Sequence, residues 1–213
     1  MKDYIDIYCE RIDGAFWSEP LNAVSNAFFL VAAFMAWRLM HKEGVSDIRA
    51  LALVLILTAI GVGSFLFHTL ATGWAQMADV LPILIFQIVF IYSYGTGVMR
   101  VSRAKAAGLL GIFFLLVAGF AQLPASWLNG SLSYAPALIM LGGLGIYHAR
   151  TRKAAPYLLL TAAGTFIVSL TFRSIDMAVC DILPIGVHYF WHTLNALLLY
   201  MVLRALIVNI RNN

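Results

Sequence analysis

Long apolar runs, separated by short polar or basic breaks, set the pattern of the chain. They fall at about 20–40, 50–70, 78–98, 105–122, 132–149, 155–173 and 186–208. Each comes close to the roughly 20 residues that a helix needs to cross a bilayer's hydrocarbon. None shows the strict alternation of a half-buried strand. The pattern predicts an all-α fold: a polytopic integral membrane protein, a seven-transmembrane helix bundle over residues 20–213. Residues 1–19 form a separate acidic head holding five of the ten acidic residues: Asp3, Asp6, Glu10, Asp13 and Glu19. Acidic rather than basic residues precede the first apolar run, and no small-residue cleavage site follows it, so it reads as a retained helix and not a signal peptide.

Composition agrees with this picture. The 213 residues are 62% hydrophobic and only 11% charged, against about 25% charged in a soluble domain. Charge adds an orientation. With seven spans, Lys2, Arg11 and Arg173 lie on one side of the membrane, and the other eleven of the 14 basic residues lie opposite. Basic loops stay cytosolic. The N-terminus and head are therefore expected outside and the C-terminus in the cytosol. The net charge of +4 is spread over short loops facing lipid headgroups, which argues against nucleic-acid binding.

Against this apolar background a few polar side chains stand out. Ser64 and His68 are four apart and share a helix face. Asp79 opens the third run, and His188 and His192 repeat the one-turn spacing at the start of the seventh. Alternating spans bring all five to the outer side. Ionisable groups at membrane depth are costly and mark function. Three imidazoles with a carboxylate and a hydroxyl are the parts of a catalytic zinc site with one open position. His68, His188 and His192 would hold zinc. Two roles are open to Asp79: exchanging protons with water and the leaving amine, or orienting a ligating imidazole. Ser64 would hydrogen-bond the reacting carbonyl. A rival scheme, Ser64 as nucleophile with His68 as base, leaves His188 and His192 without a task.

The remaining polar residues read more plainly. His41 and His148 read as interfacial. Asp176 and Asp181 read as solvated loop charges, with Arg173 near enough to pair with Asp176. Trp17, Trp74, Trp127 and Trp191 fall near outer boundaries and Trp37 near an inner one, as in an aromatic belt, although Trp191 is also placed to wall the site. Cys9 and Cys180 share the outer, oxidising side, where a disulfide and two free thiols are both open.

The pattern Ser64-x3-His68-x10-Asp79, followed by His188-x3-His192, resembles the alkaline ceramidases. These belong to a wider superfamily of seven-span membrane hydrolases that includes the adiponectin/progestin receptor group. The resemblance covers nearly the whole chain. It includes Glu19-x2-Asn22-x2-Ser25-Asn26, Asp79-Val80-Leu81-Pro82, Ile175-Asp176-x3-Cys180 and Trp191-His192. It implies zinc on His68, His188 and His192, amide hydrolysis assisted by Ser64 and Asp79, and a Cys9–Cys180 disulfide. It also implies calcium in the acidic head, on Glu10 and Glu19 with Asp13 or Asp6 joining. The head is shorter than in the eukaryotic enzymes, Val80 stands where the family often has an acid, and the short loops suggest a bacterial inner-membrane member.

The resulting expectation is a zinc-dependent intramembrane hydrolase. It would cleave the amide of ceramide or a related N-acyl lipid to a fatty acid and an amine, its substrate entering laterally from the membrane. The alternative is a zinc-containing lipid receptor or binding protein without hydrolysis. Asp79 and Ser64 favour the enzyme, since a purely structural zinc needs neither.

Overall fold

The computed structural model describes residues 4–124 and 126–211. Lys2, which entered the charge count, lies outside the described residues. Among those described there are helices and no strands. Helix α1 (Pro20–Ser25) runs through Asn26 into α2 (Ala27–Glu43). Then follow α3 (Ile48–Leu70), α4 (Gly73–Gly97), α5 (Arg103–Phe120), a 3-10 segment (Trp127–Tyr134), α6 (Ala135–Arg150), α7 (Leu158–Ile175), a short 3-10 turn (Asp176–Ala178) and α8 (His188–Arg211). With α1 joined to α2, and the 3-10 segments joined to α6 and α7, seven helical stretches among the described residues are long and apolar enough to cross a membrane. The chain is thus a seven-transmembrane bundle.

Local chemistry sets the helix ends. Gly44 closes α2 in the left-handed conformation, at φ 65°, as glycine at this position commonly does. The Asp47 carboxylate then accepts the Arg49 N–H at 2.8 Å and caps the start of α3. Helix α4 begins at Gly73 rather than near residue 78, because the extended Thr72 is followed directly by helical backbone. Asp79 therefore sits in the second turn of α4, not at its first.

Chain neighbours pack side by side, α3 on α4, α4 on α5, α6 on α7 and α7 on α8, and α8 also packs on α2 and α3. Helix α8 is the central post: Leu203, Ala205, Leu206 and Ile207 are wholly buried although they point in different directions around it. A helix apolar on all sides belongs in such a place. Helix α5 buries only Ala106 and Phe113 and is peripheral.

The head folds back over one end of the bundle. A Cys9–Cys180 disulfide, with Cα atoms 5.3 Å apart, ties it to the segment between α7 and α8. Ile5 donates its N–H to the Ala71 carbonyl at 2.8 Å, beyond the end of α3.

Two expectations about polar residues are corrected. His148 is not interfacial but fully buried. Its Nδ1 accepts the Tyr94 hydroxyl at 2.6 Å, and its Nε2 donates to the Ala154 carbonyl at 3.1 Å. With both nitrogens engaged, the neutral ring needs no water. Asp176 is likewise no solvated loop charge and has no exposed surface. One oxygen accepts the N–H groups of Val187 at 2.7 Å and His188 at 3.0 Å, and the other that of Cys9 at 3.1 Å. Asp181 is exposed as expected. Arg173 turns to the Asn129 carbonyl (2.7 Å) and the Ser131 hydroxyl (3.0 Å).

Candidate metal centre

At the end covered by the head, α3, α4 and α8 each deliver part of one polar cluster. His68 lies in the last turn of α3, and His188 and His192 in the first turns of α8. All three imidazoles are buried. One ring nitrogen from each lies within 4.8 Å of the others. Ring centroids are 4.7 Å apart for His68 and His192, and 5.3 Å for His68 and His188.

The surroundings fix which nitrogens remain available. His68 Nδ1 donates to Glu19 Oε2 at 2.5 Å, leaving Nε2 buried without a partner. His192 Nδ1 bonds the Ser25 hydroxyl at 2.8 Å, which leaves its Nε2 for the cluster. The His188 ring stacks on Tyr8 at 3.7 Å between centroids, and its Nδ1 is also buried and unpartnered. Buried polar atoms are rarely left unsatisfied. Orphaned nitrogens on neighbouring imidazoles fit a bound metal ion, and imidazole suits zinc among others. Outer partners such as Glu19 and Ser25 are what metal-ligating histidines ordinarily carry.

The Asp176 carboxylate sets the start of α8. By capping Val187 and His188 it fixes the first turn, from which both α8 histidines project. Gly186, at φ 63°, makes the preceding turn, and a Cβ there would collide with that same carboxylate. Only glycine meets both demands.

Ser64 and Asp79 meet through a second glycine. A Cβ on Gly63 would overlap the Ala78 carbonyl, so α3 and α4 touch backbone to backbone there. Pro82 lies four residues after Ala78 in α4 and has no N–H to offer that carbonyl. A carbonyl without its helical donor and a residue without a side chain thus face each other. The next residues along each helix, Ser64 and Asp79, come within hydrogen-bonding reach.

Below the cluster lies an apolar cavity between the helices. It is lined by Phe29, Ile60, Phe86, Phe90, Leu141 and Leu198, among others, with Gln87, Tyr134 and Asn195 as its polar members. Trp191 is mostly buried, lines the cavity and lies near-parallel to the His188 ring at 6.5 Å. It walls the site, whereas Trp17, Trp74 and Trp127 are exposed.

The acidic residues of the head are arranged differently from a calcium site. Both Glu10 oxygens accept backbone N–H groups that start α1, from Leu21 at 2.7 Å and Asn22 at 2.8 Å. Burial raises the Glu10 carboxyl above its ordinary value, against the lowering effect of those two bonds. Glu19 takes Arg11 Nε at 2.5 Å on one oxygen, and His68 Nδ1 and Asn22 Nδ2 (3.0 Å) on the other. Burial alone would raise the Glu19 carboxyl, but the bonds from His68 and Asn22 and the Arg11 charge outweigh it and hold it low. Asp13 and Asp6 are exposed, and an Asp13 oxygen accepts the Ala15 N–H at 2.9 Å. Calcium seeks six to eight oxygen ligands. N–H donors surround the two glutamates instead, so these residues do not fit that ion.

The sequence motifs assign no role in the site to Arg11 or Tyr8, carry Ser25 only within Glu19-x2-Asn22-x2-Ser25-Asn26, and offer Glu19 as a calcium ligand rather than as the partner of His68. A signal existed for two of them: Glu19, Asn22 and Ser25 recur every three residues, as one face of a helix start does.

The Ceramidase family profile matches residues 8–211, nearly the whole chain. No curated protein matches the chain. On the family match, the chain belongs to the ceramidase family.

Proposed function

From this membership in the ceramidase family, we propose that the protein is a zinc-dependent hydrolase of a lipid amide, ceramide or a related N-acyl lipid. The observation that carries the reading is the convergence of His68, His188 and His192, two of them with orphaned nitrogens, beside Ser64 and Asp79 and above an apolar cavity. His68 and His192 would ligate through Nε2, with Glu19 and Ser25 holding their rings. Bound zinc supplies Lewis acidity towards a carbonyl oxygen and towards water.

The chain's own groups then divide the work. An alkyl chain fills the apolar cavity, which brings the amide up to the histidines. Asp79 takes the proton of the attacking water as the new C–O bond forms, then hands it to the amide nitrogen as the C–N bond breaks. Once Asp79 carries the water's proton it can donate to Ser64 Oγ in place of accepting from it, which frees the Ser64 O–H to donate to the developing oxyanion. Trp191 and Tyr8 wall the cluster and exclude bulk water. The products are a fatty acid and a lipid amine.

The test compares wild type with His192→Ala after purification from membranes, measuring metal content and fatty-acid release from a labelled ceramide. The expected result is about one zinc per chain, lost in the variant together with hydrolysis. Wild type without zinc would overturn the metal site. Zinc with no hydrolysis of any N-acyl lipid would turn the reading to a lipid-binding receptor.

A further inference from the structure

The Arg11 guanidinium occupies the space between the head and the end of α3. Its side chain is wholly buried. Nε donates to Glu19 Oε1 at 2.5 Å, Nη1 to the Asp13 carbonyl at 3.0 Å and Nη2 to the His68 carbonyl at 2.9 Å. The oxygens converging here are a carboxylate and two backbone carbonyls, ligand types that a hard divalent cation also takes and that waters would complete if the arginine were removed. A guanidinium and a metal ion cannot share the place. The His68 carbonyl belongs to the last turn of α3, where carbonyls lack helical partners and a positive charge is favoured. One cation thus satisfies the helix end, the head and Glu19 at once.

We propose that Arg11 is a built-in cation that does the work of a head-bound divalent ion and positions the metal centre through Glu19 and the backbone of His68. The inference rests on the zinc reading given above. Arg11 bonds one Glu19 oxygen and so aims the other at His68 Nδ1, which keeps the proton on that nitrogen and presents Nε2 as the ligand. Through Nη2 it also holds the carbonyl of the same histidine, fixing ring and backbone together. Arg11 is a positioning residue, since it touches neither substrate nor metal. The protein should therefore need no calcium.

Detergent-purified wild type, Arg11→Lys and Arg11→Ala would be compared by thermal unfolding with and without millimolar calcium chloride. Zinc affinity would be measured by competition with a chromogenic chelator. Wild type should show no calcium-dependent shift in Tm. Arg11→Ala should bind zinc at least about tenfold more weakly, the scale of lost outer-shell support. Calcium chloride, entering the vacated oxygen cluster, should raise its Tm and recover part of its zinc affinity, where magnesium chloride does not. Arg11→Lys keeps the charge but not the fork, and should fall between in zinc affinity while staying indifferent to calcium. Calcium stabilisation of wild type or Arg11→Lys overturns the proposal. So does Arg11→Ala with wild-type zinc affinity, or without any calcium response. If Arg11→Ala does not fold, wild type and Arg11→Lys decide alone. The calcium response of Tm does not depend on zinc or hydrolysis, so a wild type that binds no zinc defeats the functional reading and is told apart from failure here.

Discussion

Glu19 shows how one side chain links folding to the site. It is buried, accepts from Arg11, Asn22 and His68, and stands at the junction of head and bundle. Glu19→Gln keeps the shape but places an amide group against donors. We expect zinc affinity to fall by about 10- to 100-fold, measured by chelator competition, with KM changing much less than kcat because the cavity is untouched. At the far end of the bundle, Asp47 offers a pH test clear of the three histidines. Its hydrogen bonds with Arg49 hold its carboxyl below the ordinary value of 3.8. A depressed carboxyl stabilises the fold above that ordinary value and loses its effect as pH falls through the lower folded value. Asparagine caps a helix about as well as aspartate, so Asp47→Asn isolates the ion pair. The Tm gap between wild type and Asp47→Asn should stay constant from neutral pH to about pH 5, then close below about pH 4. A half-exposed pair of this kind is worth at most about 1 kcal/mol, so the gap should be small.

The helices were legible because their spacing and length are a property of local sequence. All seven spans follow from apolar runs, and errors fell at ends such as Gly73, where polar Gln76 and small residues hid a helical turn. The depth of single side chains was less legible. His148 sits next to basic residues in sequence, yet Tyr94 and the Ala154 carbonyl, brought by α4 and the turn after α6, bury it. Asp176 looks like any loop acid until Cys9, Val187 and His188 turn three N–H groups towards it. No local pattern encodes the Asp176 partners, which arrive from 11, 12 and 167 residues away. The α3–α4 contact is a further case. Ser64 and Asp79 were visible as chemistry, but their meeting depends on Gly63 against Ala78. Gly63→Ala should force these helices apart, at a cost of about 1–3 kcal/mol for overpacking, and draw Ser64 from Asp79. We expect lower Tm and lower kcat with zinc content near wild type, since none of the three histidines is moved directly. Gly164→Ala, where a Cβ meets nothing within 4 Å, is the control expected to leave activity unchanged.

For the molecule as a whole, charge and covalent chemistry make one prediction about sidedness. The three-histidine cluster, the head and the Cys9–Cys180 disulfide lie at one end of the bundle. Lys42, Arg49, Arg100, Arg103, Lys105, Arg150, Arg152 and Lys153 occupy the loops and helix ends that alternating spans put at the other. Basic loops remain in the cytosol, and disulfides form away from it. Both lines independently predict that the site end faces away from the cytosol, and neither uses the other's residues. A cysteine introduced at exposed Asp181 should therefore react with a membrane-impermeant maleimide in intact bacterial cells, with the native disulfide left in place. One at exposed Lys42 should react only after lysis. The reverse labelling would invert the protein and strand the disulfide in a reducing compartment. Expression in cells lacking disulfide-forming enzymes extends the argument. The head is held to the bundle by the disulfide but also by Arg11, Glu10 and the Ile5–Ala71 bond. Loss of the disulfide should lower Tm by the equivalent of about 2–5 kcal/mol, while those remaining bonds keep enough of the head in register for zinc to stay bound.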